Sequence, residues 1–143
     1  MRAVIIISVL LGLVWNTIAV TLLGGRVMDA FKPSWLLAGA IAGAVAGWFT
    51  IWSRNRREGE ERLLDGFATF YLGIVIYWIS FVVIERAVMC VKHGGWTDFD
   101  LRDHLTMIWI FLLYGTLWYG IVLIPLCFLS RWLIWKVYQR FAD

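Results

Sequence analysis

Residues 34–53 read SWLLAGAIAGAVAGWFTIWS, a run with no charged side chain. A helix rises about 1.5 Å per residue, so this run is about as long as the hydrocarbon core of a bilayer is thick. Gly39, Gly43 and Gly47 recur at every fourth position, with Ala40 and Ala44 beside them. Residues four apart stack on one helix face. A stripe of small residues lets a second backbone come close, and in lipid that close packing is what holds helices together. The stripe is a glycine zipper in search of a partner. The partner is another helix of this chain, a helix of another membrane subunit, or a second copy of the chain.

Three further apolar stretches, 3–23, 64–84 and 105–129, are long enough to span. The 143-residue chain is 62% hydrophobic and 16% charged, well below the roughly 25% charge of a soluble domain. Its ten tryptophans suit helices whose ends lie at the lipid headgroups. The expected fold is all-α: one membrane domain over residues 1–143, an antiparallel bundle of four transmembrane helices with an amphipathic C-terminal tail at 130–143. The first helix is expected to be retained, because its apolar run continues to Leu23 with no small-x-small cleavage site. Gly24-Gly25 ends it, and Pro33 is placed to open the second helix. Glu85-Arg86 is expected to close the third helix. The longest connector, 87–103, turns at Gly94-Gly95, and FDLRDH (99–104) reads as a short interfacial helix. Pro125 is expected to kink the fourth helix. In the tail, Ile134, Val137, Tyr138 and Phe141 form an apolar face opposite Lys136, Gln139 and Arg140, so the tail is expected either to prolong the fourth helix beyond the membrane or to lie flat on its surface.

The basic residues indicate orientation. With the N-terminus inside, the inner side holds Arg2, Arg54, Arg56, Arg57, Arg62, Arg131, Lys136 and Arg140. The outer side holds Arg26, Lys32, Arg86, Lys92 and Arg102. The excess on the first side predicts cytoplasmic termini, in a bacterial inner (plasma) membrane. The stretch RNRREGEER (54–62) reads as a solvated turn on that side.

Two sets of residues are candidates for a role. Gly12 on the first helix and Gly73 on the third join Gly39, Gly43 and Gly47 as packing or partner-contact positions. Asn16, Tyr77 and Thr116 form the second set. Asn16 is an amide in hydrocarbon, where an unbonded polar group is costly. Counted from the inner helix ends, Asn16, Tyr77 and Thr116 share one depth. They are expected to form a buried hydrogen-bond cluster.

Other chemistry has little support. Cys90, His93, Asp98, Asp100, Asp103 and His104 gather around the outer connector, but their spacing matches no defined metal pattern. No histidine lies within a span to hold a haem, and no cofactor is expected. The two cysteines, Cys90 and Cys127, make no C-x-x-C. The spans are expected to bury no charge, which argues against a proton relay or an ion-coupled carrier. The net charge of +3 fits a topology signal, and no nucleic acid is expected as a partner. The expected function is therefore a non-catalytic subunit, or an assembly or stabilising partner, within a larger membrane complex. The alternative is a homo-oligomeric pore, channel or small transporter lined by Ser8, Asn16, Thr69, Tyr77 and Thr116. A metal protein or enzyme using the 90–104 loop is the third possibility.

Overall fold

The structure is a computed structural model that describes residues 2–22, 31–58, 60–93, 101–117 and 120–142. These form five helices: α1 (Arg2–Leu22), α2 (Pro33–Asn55), α3 (Leu63–His93), α4 (Leu101–Leu117) and α5 (Gly120–Ala142). No strand occurs among the described residues. Four of the helices, α1, α2, α3 and α5, are long and apolar enough to cross a membrane. Gly24-Gly25, Arg26, Asp29 and the segment from Gly94 to Asp100 lie outside the described residues.

Helix α2 is the centre of the fold, packed most extensively against α1 and α3. Pro33 opens it at the first helical position, where the missing N–H is one that the first turn leaves unpaired in any case. After α2 the chain turns through Glu58, which takes a left-handed φ of 52°. Helix α5 lies across α1, α2 and α3, whereas among the described residues α4 touches α3 and α5.

The α1–α2 contact follows from glycine. A Cβ added at Gly43 would sit 2.7 Å from Gly12 Cα, and one at Gly12 would sit 2.8 Å from Gly43 Cα. Ser8 fills the space over Gly47, and Asn16 lies over Gly39. As numbers rise along α1, the partner numbers fall along α2. Helix α5 keeps a similar ladder with α3. Leu123 packs beside Phe70, the Cys127 thiol reaches the Gly66 carbonyl at 3.7 Å, and Arg131 bonds Glu61 in the turn before α3, its long side chain also reaching back to Thr69. Gly66 makes room there for the Phe128 ring.

Several expectations about boundaries are corrected. Helix α3 does not close at Glu85-Arg86 but continues to His93. Both residues are good helix formers, and no Gly or Pro intervenes before Gly94. Within the expected span 105–129, residues 105–117 lie on α4 and residues 120–129 on α5, and Trp118 and Tyr119 lie outside the described residues. Pro125 falls inside α5. Residues 101–104 belong to α4, so FDLRDH is not a separate element over its described part. Residues 130–142 continue α5, and Ile134 is buried in the bundle.

Candidate functional site

Helices α1, α2, α3 and α5 enclose a cleft of about 190 Å³. Its walls are mostly apolar or small: Leu11, Gly12, Ala42, Gly43, Phe70 and Ile74 are typical. The close α1–α2 approach lets glycine backbone form one wall. Gly73 lines the opposite side, and a Cβ added there would meet no atom within 4 Å. Gly73 is therefore not a packing position within this chain, where the sequence reading has it as a packing or partner-contact position; the helix turns it towards open space.

Polar groups stand at two levels of the cleft. At one, the Tyr77 hydroxyl donates to Asn16 Oδ1 at 2.6 Å. The Trp35 ring packs beside this pair, 6.3 Å from Tyr77 and 4.5 Å from Phe81. Thr116 is not with them. It donates to its own helix at the Leu112 carbonyl and lies 3.2 Å from the Tyr71 hydroxyl. Tyr71 precedes Tyr77 by six residues on α3, a helix rise of about 9 Å, so Thr116 stands at another level. Asn16→Leu and Tyr77→Phe are each expected to cost about 1 kcal/mol, typical of a hydrogen bond between membrane helices. Unfolding of the double variant in detergent should show clear non-additivity, since both changes remove one bond.

At the other level is Arg131, only 1% exposed. Its Nε donates to Glu61 at 2.6 Å, and Nη2 donates to Ser53 at 3.1 Å. Nη1 donates to Thr50 at 3.4 Å and also to Thr69. The hydroxyls act as acceptors here because their own protons go elsewhere. Thr50 donates to the Ala46 carbonyl at 2.8 Å, Thr69 to Asp65 at 2.7 Å and Ser53 to Thr50 at 3.0 Å. One arginine thus ties together α2, α3, α5 and the turn before α3. Next to it, Ser130 accepts the Trp15 indole N–H at 3.1 Å and donates to Leu126.

The carboxylate of Glu61 is shared, since Arg54 also pairs with it. Arg54 is buried and lies 5.4 Å over the Trp135 ring. Arg57 pairs with the buried Asp65 at 2.8 Å. Two sequence expectations fall here. Asp65 lies inside the stretch 64–84, and with Arg131 it is buried, so the helices do bury charge. The turn at 54–62 is only partly solvated: Arg56 and Arg62 are exposed, but Arg54 is folded under the bundle. The sequence reading missed Arg131, Glu61, Thr50 and Ser53. One signal for Arg131 was available. Cys127, Arg131, Ile134 and Tyr138 fall at spacings of four, three and four, which puts the arginine on an apolar face.

Of the proposed pore-lining residues, Ser8, Asn16, Thr69 and Tyr77 line this one cleft within a single chain. Among the described residues no group of three His, Cys, Asp or Glu side chains converges as a metal site would require. Cys90 is half-buried on α3 and Asp103 is exposed on α4. Asp98, Asp100 and the side chains of His93 and His104 are outside the description. Comparison with family models, curated proteins and solved structures finds no match.

Proposed function

We propose that this chain is a non-catalytic integral membrane protein that holds a lipid-like ligand inside its bundle. In this reading α1, α2, α3 and the α4–α5 pair are four antiparallel spans in a bacterial inner membrane, with cytoplasmic termini. The observation that carries it is the cleft: an apolar space walled by four helices, with a few polar groups at defined levels. Apolar walls with sparse polar points are the usual make-up of a small-molecule site, and a membrane-embedded cleft meets hydrocarbon ligands first. A binding role is also supported by the hydroxyls of Ser8, Thr50, Ser53, Thr69 and Ser130. Each donates into a helix backbone, leaving none held by a general base.

Gly73→Leu tests this reading. The new side chain enters open space, so the variant should fold as stably as the wild type or slightly more so, given the low helix propensity of glycine. It should carry far less co-purified lipid when extracted in mild detergent and assayed by mass spectrometry. Equal lipid retention by both proteins would defeat the proposal.

A second reading, a subunit docked to other membrane subunits or to copies of itself, draws on α4 rather than on the glycine stripe. The stripe is already occupied by α1. Leu105, Trp109, Leu113 and Leu117 recur every four residues on α4 and are 50–74% exposed. Native mass spectrometry after gentle extraction should show partners bound through that face, and a lone monomer would count against docking.

A further inference from the structure

The cleft has a direction. Arg131 lies at one polar level and the Asn16–Tyr77 pair at the other. Eight residues of α3 separate Thr69, beside Arg131, from Tyr77, a helix rise of about 12 Å. Between the two levels the wall is apolar, and Gly73 leaves room beside it.

The charge around Arg131 is not balanced. Arg131 and Arg54 share one carboxylate, Glu61, while Arg57 is matched by Asp65. Among the described residues this cluster of buried and half-buried charges therefore has one more positive group than negative. A guanidinium has five N–H donors. Arg131 directs four of them at Glu61, Thr50, Thr69 and Ser53, which leaves one on Nη2. An uncompensated cation away from water is costly, and an arginine fork is well suited to an acidic head. A purely structural tie between α2, α3 and α5 accounts for the four bonds. It does not account for the surplus charge or for the place of Arg131 on the cleft wall.

We infer that the cleft takes an amphiphile with an anionic head, a carboxylate or a phosphate ester. The head lies at Arg131 and the hydrocarbon chain runs past Gly73 towards Asn16 and Tyr77. This rests on the lipid-binding reading of the cleft and adds the charge and direction of the ligand. The placement matches the membrane, since Arg131 bonds residues near the end of α2 and the turn that follows it, while the chain points into the bundle.

The test uses the purified full chain in a non-ionic detergent, titrated with dodecanoate, dodecyl phosphate and dodecanol. Bound ligand is counted by native mass spectrometry. The expected result is one acidic amphiphile per chain, held at least about tenfold more tightly than dodecanol, because the charged head makes the stronger hydrogen bonds. The preferred acid then separates a free fatty acid from a phosphate lipid as the source. Arg131→Gln should erase the preference for acid over alcohol while dodecanol still binds. Glu61→Gln keeps an acceptor for Arg131 Nε but removes the shared negative charge, so it should widen that preference. If Arg131→Gln does not fold, the sign of the change in Glu61→Gln decides. Equal affinity of the wild type for acids and alcohol, or a narrowed preference in Glu61→Gln, overturns the anionic ligand and leaves the lipid cleft standing. No saturable binding of any of the three overturns both.

Discussion

Gly43→Leu is expected to separate α1 from α2 and to cost about 3 kcal/mol or more, at the upper end of what overpacking usually costs. The reason lies in what the new side chain would meet. A Cβ at Gly43 would be 2.7 Å from Gly12 Cα and closer still to the Ser8 carbonyl oxygen. Both are backbone atoms, so no change of rotamer relieves the clash and the helices must move apart. That movement loosens one of the two broadest contacts in the fold and widens the cleft wall. Thermal or SDS-induced unfolding in detergent measures the loss. Gly73→Leu is the matched control, because it adds the same side chain at a helical glycine that faces open space. A Gly43→Leu protein that unfolds together with wild type would show that the α1–α2 register is wrong.

The contrast between these two glycines marks what can be read from sequence. Fourfold spacing identifies a face that can accept a backbone, and Gly39, Gly43 and Gly47 do accept α1. The same spacing does not say whether a facing helix comes close, and at Gly73 no described atom lies within 4 Å of an added Cβ. Helix-end counting works where a helix is continuous, which is why Asn16 and Tyr77 could be placed at one depth. It fails for Thr116, which pairs with Tyr71, six residues before Tyr77 on α3. Arg131 was the hardest to read. An isolated arginine near the end of an apolar stretch looks like an interfacial anchor, the commonest use of such a residue. Its burial depends on partners far away in sequence: Glu61 in a charged turn, Thr50 and Ser53 on α2, and Thr69 on α3. No local pattern joins those residues. The surplus charge that defines one end of the cleft is therefore a property of the assembled fold.

Glu61→Leu is expected to destabilise the protein by about 3–5 kcal/mol, the usual loss when one partner of a buried ion pair is removed. Here one carboxylate serves two arginines, so its removal strands both. Arg131 Nε loses its acceptor and Arg54 loses its counter-charge. Arg54 Nε already lacks a hydrogen-bond partner among the described residues, so Arg54 has little with which to compensate. Adding Arg131→Met should recover part of the loss, because one of the two stranded cations is then gone. Thr50, Ser53 and Thr69 would keep the bonds to their own backbone. The double variant should thus be more stable than Glu61→Leu alone, and unfolding in detergent around the full mutant cycle measures that coupling. Recovery stays partial while Arg54 remains buried beside Trp135. A Glu61→Leu protein within about 0.5 kcal/mol of wild type, as for an ordinary surface substitution, would mean that water screens the cluster. Arg131 would then lack the low-dielectric surroundings that make its surplus charge a force for binding an anion.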